Sequence, residues 1–77
     1  MKINENMRAI REARGLKQKA VAERIGVSAV TYSHYETGLR TPDPYRLKKI
    51  AEVLQEPIQS FFEENLNESE NKQKVAN

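Results

Sequence analysis

The stretch that decides the fold is residues 18–38, which read QKAVAERIGVSAVTYSHYETG. It contains two runs of helical patterning, about eight or nine residues each, separated only by Gly26 and Val27. A connection this short does not allow the two helices to lie antiparallel, so they must cross at a steep angle. Ala22 falls where the helices come closest, and Ser28 is a good N-cap for the second of them. The stretch therefore predicts a pair of steeply crossing helices joined by a tight turn.

The residues before this stretch predict one further helix, from about residue 4 to residue 14. Met7 and Ile10 are one turn apart and would share a buried face, and Gly15 is a residue type that commonly ends a helix. In the second helix of the deciding stretch, Tyr32 and Tyr35 have the same spacing. We expect both tyrosine rings in the core, with their hydroxyls reaching the surface.

The residues after this stretch predict two more helices. Asp43 followed by Pro44 is a strong helix start, with an N-cap and a proline at the first helical position. The apolar stripe of this fourth helix consists of Leu47, Ile50, Ala51 and Leu54. Pro57 then begins a short last helix that carries Phe61 and Phe62. Because strand-like alternation is absent, the chain predicts an all-α fold of five helices.

Length and composition define the organisation of the chain. Its 77 residues make one domain, which we place at residues 1–64. Residues 65–77 are almost entirely polar, so we expect a disordered tail there. The N-terminus lacks the apolar segment of a signal peptide, and no run approaches the roughly 20 apolar residues of a membrane span. We therefore expect a soluble, cytoplasmic protein.

The residue inventory excludes several kinds of chemistry. There is no cysteine, so neither a disulfide nor a thiolate metal site can form. The single histidine, His34, cannot build a zinc site, because such a site needs three or four protein ligands. The carboxylates are spread over helix faces, and none has an evident catalytic partner. We expect no metal, no cofactor and no enzymatic activity.

Charge is distributed unevenly along the chain. Residues 1–50 contain eleven Lys and Arg against five Asp and Glu, whereas residues 51–77 contain two against six. A basic body suits a polyanionic partner, because Lys and Arg side chains that contact phosphates release counterions. The same pattern also fits an ordinary solvated surface, so charge alone does not decide between the two.

The spacing of the residues from Gln18 to Gly38 resembles that of lambda-repressor/Cro-like (XRE-type) helix-turn-helix DNA-binding domains. The later Pro42-Asp43, Lys49-Ile50-Ala51 and Phe61-Phe62 are similar to the fourth and fifth helices of that family. The resemblance covers roughly residues 4–63. It implies a five-helix domain whose second and third helices form the helix-turn-helix. It also implies that the third helix enters the major groove of double-stranded DNA.

The resemblance implies that one face of the third helix approaches the base edges. The matching positions are Ala29, Val30 and His34, and Ser33 shares their face, opposite the two tyrosines. Ala29 and Val30 cannot hydrogen-bond through their side chains, but they can pack against a thymine methyl, and His34 could donate to guanine. The alternatives are that Val30 is exposed incidentally and that His34 makes no contact.

The resemblance also implies contacts to the DNA backbone. Gln18 matches a phosphate-contacting position at the start of the second helix, where free N–H groups and the helix dipole favour anions. The alternative is an ordinary exposed glutamine. The full predicted set consists of Lys17, Gln18, Lys19, Ser28, Thr31, Thr37, Gly38 and Arg40. Lys17 departs from the family pattern, because relatives usually place Thr or Ser there as the N-cap.

Arg11 and Glu36 carry a separate, structural prediction. Glu36 closes the third helix at the negative end of its dipole, which is unfavourable for a carboxylate without a partner. In the family that this chain resembles, the matching Arg and Glu form a partly buried ion pair between the first and third helices. We expect a structural role for this pair and no catalytic one.

Two functions follow from these patterns. The first is a transcriptional regulator of the repressor type, which binds a palindromic operator as a homodimer with half-sites about 34 Å apart. An exposed phenylalanine at the last helix would offer a dimer contact. The second is an antitoxin-like or other protein-interaction module, whose polar C-terminal tail binds a partner protein. The two functions can coexist in one protein.

Overall fold

Residues 3–64, which the computed structural model describes, form four α-helices and one short 3₁₀ helix. The α-helices are α1 (Ile3–Ala13), α2 (Gln18–Ile25), α3 (Ala29–Thr37) and α4 (Pro44–Leu54), and the 3₁₀ helix is Ile58–Phe62. This part of the chain contains no strand. The prediction of an all-helical fold is therefore confirmed.

The fifth predicted helix differs from the prediction, because Ile58–Phe62 is a single 3₁₀ segment. The carbonyl of Pro57 accepts a hydrogen bond from the Ser60 N–H at 2.9 Å, which is the i to i+3 spacing of a 3₁₀ turn. The Nδ2 of Asn6 in α1 then donates to the carbonyls of Phe61 at 2.9 Å and Glu63 at 2.7 Å. The segment is thus a short 3₁₀ turn, and the carbonyls at and just beyond its end are bound by α1.

The turn between α2 and α3 has the geometry that its sequence predicts. Gly26 has φ 78°, in the left-handed region that residues with a Cβ rarely adopt. Its N–H donates to the Glu23 carbonyl, and the Val27 N–H donates to the Ala22 carbonyl, which together form a Schellman motif. The chain therefore bends within two residues, and α3 follows directly after its N-cap, Ser28.

The core lies between the inward faces of the helical segments. Ala22 is 1% exposed, and its small side chain allows α2 and α3 to approach closely. The largest fully buried side chains are Met7, Val21, Tyr32, Ile50, Leu54 and Phe61. Tyr35 is also buried, so the prediction that both tyrosine rings lie in the core is confirmed.

The tyrosine prediction is wrong about one hydroxyl. The Tyr32 hydroxyl does not reach the surface, because the residue is fully buried with its oxygen beside the Glu36 carboxylate. The oxygen makes no hydrogen bond of good geometry among the residues described. Burial raises the pKa of this hydroxyl above its ordinary value, since a phenolate would lose its hydration there. Tyr32 therefore stays protonated at neutral pH.

Two predictions concern residues outside the described part of the chain. The polar tail, residues 65–77, is one of them, and the partner-protein site assigned to that tail is the other. The domain boundary at residue 64 stays a prediction for the same reason. None of the helices between residues 3 and 64 has both the length and the apolar character that crossing a membrane requires.

Candidate nucleic-acid interface

α3 presents one face to the core and the opposite face to solvent. Tyr32 and Tyr35 fill the inward face, whereas Val30 is 64% exposed on the other side. The predicted base-contact residues all lie on the solvent side, with Ala29 and Val30 exposed and Ser33 and His34 partly exposed. Because residues 3–64 bury none of the four, this face is accessible to a partner.

The entrance of α3 holds two hydroxyl groups that bind each other. The Ser28 Oγ accepts the Thr31 N–H at 3.0 Å, which makes Ser28 the N-cap, and it donates to the Thr31 Oγ1 at 3.0 Å. The hydroxyl proton of Ser28 is therefore bound within the protein and is not available to a partner. In this arrangement the Thr31 hydroxyl is the one able to donate outward, to an acceptor such as a phosphate oxygen.

The start of α2 lacks a side-chain cap. Lys17 occupies the N-cap position with an extended backbone (φ −86°, ψ 152°), and its side chain makes no hydrogen bond to the first turn. By contrast, Ser28 caps α3 and Asp43 caps α4. The first N–H groups of α2 therefore need an outside acceptor, and they lie next to the exposed residues Lys17 and Lys19.

Gln18, in the first turn of α2, makes a contact that the sequence did not predict. Its side chain is partly buried, and its Nε2 donates to the Oε1 of Glu36 at 2.8 Å. The two residues are 18 positions apart and lie on different helices, so no local pattern signals this bond. The contact ties the start of α2 to the end of α3.

The Glu36 carboxylate is shared with Arg11 of α1. The Arg11 Nε donates to Glu36 Oε2 at 2.6 Å, and the Arg11 Nη2 donates to Oε1 at 3.1 Å. A third donor, Arg11 Nη1, binds the Leu16 carbonyl at 2.7 Å. The side chains of Arg11 and Glu36 are 10% and 1% exposed. The structure thus brings together the two residues of the predicted ion pair, in a bidentate and nearly buried form.

The neighbours of Glu36 decide its ionisation. Burial alone pushes the pKa of Glu36 up, but the Arg11 guanidinium, with the Tyr32 hydroxyl and the Gln18 amide close by, outweighs burial and holds this pKa below its ordinary value. The hydrogen bond with Glu36 raises the pKa of Arg11 in turn. Both groups are therefore charged at neutral pH, and Glu36 offers only acceptor oxygens to its surroundings.

The loop after α3 folds back on the end of that helix. The His34 carbonyl accepts hydrogen bonds from the Arg40 N–H at 3.1 Å and from the Thr37 hydroxyl at 3.2 Å. The Thr37 proton is thus used internally, whereas Arg40 is exposed. Gly38 has φ 84°, and a Cβ at this position would lie 3.3 Å from the Nδ2 of Asn4. These contacts hold the predicted phosphate-contacting loop in one shape.

An open polar cleft of about 410 Å³ lies between the entrance of α3 and the start of α4. Three predicted backbone-contact residues line it, namely Ser28, Thr31 and Arg40. Arg46 of α4 lines it too, and the sequence analysis missed this residue. The Arg46 Nη1 is paired with the Asp43 Oδ2 at 3.0 Å. Their i, i+3 spacing could have signalled the pair, but not its position beside Arg40.

The interface offers a partner hydrogen-bond donors, positive charge and two small apolar side chains. Its basic residues are Lys17, Lys19, Arg40 and Arg46, of which Arg46 is paired with Asp43 of the cleft, and its small apolar residues are Ala29 and Val30. Within residues 3–64, no group of three or more His, Cys, Asp or Glu side chains is placed to hold a metal ion.

Comparison with known proteins identifies the family of the chain. Residues 7–61 match the profile of the family described as Helix-turn-helix. The chain belongs to the helix-turn-helix family. The resemblance to XRE-type domains, which rested on the residues from Gln18 to Gly38, is therefore confirmed.

Three curated relatives of this helix-turn-helix chain come from Bacillus subtilis (strain 168). The HTH-type transcriptional repressor RghR is 43% identical over 59 residues, which cover 75% of this chain and 44% of RghR. The uncharacterized HTH-type transcriptional regulators RghRB and YqaE are 38% and 29% identical over 82 and 65 residues. Those matches cover 92% and 84% of this chain and 59% and 56% of the relatives. The chain thus spans about half the length of the curated relatives it matches.

Proposed function

We propose that this helix-turn-helix chain acts as a transcriptional regulator by sequence-specific binding of double-stranded DNA, with α3 in the major groove. The observation that carries the proposal is the outward face of α3, where a valine is 64% exposed beside partly exposed polar side chains. An uncapped helix start and a cleft with two arginines accompany this face. The names of the relatives, all transcriptional regulators, support the proposal.

In the proposed complex, the four outward side chains of α3 meet the base edges. Ala29 and Val30 pack against thymine methyl groups, because they carry no hydrogen-bonding atoms. Ser33 and His34 supply hydrogen bonds, with the imidazole donating to guanine N7 or O6. An exposed valine leaves apolar surface in water, and a methyl contact would remove that cost.

Two groups of residues hold the DNA backbone in the proposed complex. One group surrounds the uncapped start of α2, and the other lines the cleft and the loop after α3. The first consists of Lys17, Gln18 and Lys19, and the second of Thr31, Gly38 and Arg40, to which the cleft adds Arg46. Ser28 and Thr37, whose hydroxyl protons are bound within the protein, shape the entrance of α3 and the loop after it. Such contacts position the protein on the duplex without reading its sequence.

We further propose that the protein is a repressor that binds a palindromic operator as a homodimer. Two copies of α3 in successive major grooves, about 34 Å apart, give the affinity that one small domain lacks. Phe62, which is 41% exposed at the end of the 3₁₀ helix, is the side chain that we assign to the dimer contact. The name of RghR, a transcriptional repressor, supports the direction of regulation.

Selection of binding sites from random duplex DNA tests this function. We expect enrichment of one palindromic motif whose half-sites are about 10 base pairs apart. If the unmodified protein enriches no duplex at low salt, the proposal loses its main support. Enrichment of single half-sites alone would contradict the homodimer and leave DNA binding intact. In that case Phe62→Ser would also leave the affinity unchanged.

A further inference from the structure

The Glu36 carboxylate lies where α1, α2 and α3 meet. Its side chain is 1% exposed, and its oxygens accept from Arg11 Nε at 2.6 Å, Arg11 Nη2 at 3.1 Å and Gln18 Nε2 at 2.8 Å. Arg11 alone already supplies a full positive charge to the carboxylate. The bond to Gln18 is therefore not needed to neutralise Glu36, although Gln18 is the residue that the proposed function places on a DNA phosphate.

An ionised carboxylate fixes the direction in which the Gln18 amide points. Carboxylate oxygens only accept hydrogen bonds, so Glu36 binds the amide nitrogen and excludes the amide oxygen. The Nε2 carries two hydrogens, and Glu36 takes one of them. Phosphate oxygens also only accept. The second Nε2 hydrogen is therefore the one group of this side chain that can bind a phosphate.

We propose that Glu36, held in place by Arg11, is a positioning residue for DNA binding, which orients the Gln18 amide so that its remaining N–H faces a backbone phosphate. This inference rests on the proposed function, and it gives a second role to a pair that was expected to be structural only. A donor that is already oriented loses little side-chain freedom when it binds, so the orientation strengthens the phosphate contact.

A double-mutant cycle on duplex-DNA affinity tests the positioning role. Glu36→Gln keeps the size of the side chain, but the new amide can donate or accept, so Gln18 is no longer held in one direction. We expect Glu36→Gln to raise the Kd by about three- to tenfold, and Gln18→Ala to have a similar effect. In the Gln18→Ala background, adding Glu36→Gln should change the Kd little, because the two substitutions remove the same contact.

The charge change in Glu36→Gln needs a matched control. Removing a carboxylate from a DNA-binding protein by itself favours binding. Glu52→Gln makes the same change at an exposed position on α4, and we expect its Kd to be unchanged or slightly lower. Each Kd is corrected for the folded fraction, measured by thermal unfolding. Loss of folding therefore cannot imitate the expected weakening.

A second variant keeps the test decisive if Glu36→Gln does not fold. Glu36→Asp keeps the charge opposite Arg11 but withdraws the oxygens from Gln18 by one methylene. It should weaken DNA binding in the parent protein and not in the Gln18→Ala background. Equal losses in both backgrounds, or no loss in the parent, would overturn the positioning role while the proposed function stands. Absence of any duplex binding by the unmodified protein would instead overturn the proposed function, and the inference with it.

Discussion

At the scale of single residues, the outward face of α3 is defined by its small and partly polar side chains. Ala29 and Val30 are exposed and their side chains carry no hydrogen-bonding group, so a partner can contact these side chains only through shape and apolar surface. Ser33 and His34 are partly exposed, which leaves their polar atoms accessible from outside. Arg40 differs from all four, because it lies in the loop beyond the helix and lines the polar cleft. Substitutions at these positions should therefore have two distinguishable effects.

Val30→Ala and His34→Ala should each change the preferred bases, at a cost of about 1 kcal/mol on the best site, because both side chains face the bases in the proposed complex. Arg40→Ala should weaken binding to all duplexes by a similar factor. It should also lower the slope of log K against log salt by about 1, since one phosphate contact is lost. Binding-site selection and salt titration measure these effects. Unchanged base preference in both α3 variants would exclude this face from recognition.

Gly38→Ala should destabilise the domain more than Gly15→Ala. Both glycines have positive φ, 84° and 72°, so an alanine at either position adopts a strained backbone. Only at position 38 would the new Cβ meet another side chain, that of Asn4 at 3.3 Å, whereas no atom lies within 4 Å at position 15. We expect losses of about 1–2 kcal/mol for Gly38→Ala and about 1 kcal/mol for Gly15→Ala, measured by urea unfolding. Equal losses would show that Asn4 moves aside without cost.

At the scale of helices, the start of α2 is the one helix start of the three from α2 to α4 that has no side-chain cap. Ser28 and Asp43 bind first-turn N–H groups of their own helices, and Lys17 does not. In the family that this chain resembles, Thr or Ser usually stands at the position of Lys17, and its hydroxyl can accept a first-turn N–H of the helix. The chain therefore gives up a cap where the proposed function needs a phosphate contact.

Lys17→Ser should stabilise the protein, because the serine hydroxyl can accept a first-turn N–H of α2. We expect a gain of about 1 kcal/mol in the free energy of unfolding, which corresponds to about 4–8 °C in Tm for a domain of this size. Lys17→Ala is the matched control, since it removes the charge without adding a cap. If the two variants have the same Tm in a thermal scan, the missing cap does not limit the stability of α2.

At the scale of the whole molecule, the ionisation of Glu36 should couple pH to stability, because its contacts join three helices. The pKa of Glu36 in the folded protein lies below its ordinary value of 4.5. A carboxyl with a lowered pKa stabilises the fold above its unfolded pKa, and this stabilisation is lost as pH falls through the folded pKa. We therefore expect the free energy of unfolding to decrease below about pH 4.5.

Urea unfolding at a series of pH values, together with the ¹³C titration of the Glu36 carboxyl, measures this coupling. The midpoint of the carboxyl titration in the folded protein should lie below the ordinary value. A midpoint at or above 4.5 would contradict the expectation, because burial would then outweigh the donors around the carboxylate.

The sequence predicts local features of this fold better than long-range contacts. Gly26 ends α2 and Asp43 caps α4 as their residue types indicate, and helical periodicity places the outward side chains of α3. Side chains that meet across many residues leave no local pattern, and the bond of Asn6 to the Phe61 carbonyl spans 55 positions. The bond between Gln18 and Glu36 could not be predicted for the same reason. The Arg11–Glu36 ion pair was predicted only because the chain resembles a known family.

The amide of Asn6 has a mechanical consequence for the end of the 3₁₀ helix. Its Nδ2 donates to the carbonyls of Phe61 and Glu63, so both carbonyls are tied to α1. The 3₁₀ segment therefore cannot open without breaking hydrogen bonds to the first helix. Fraying at this point is resisted by contacts that span 55 and 57 positions of the sequence.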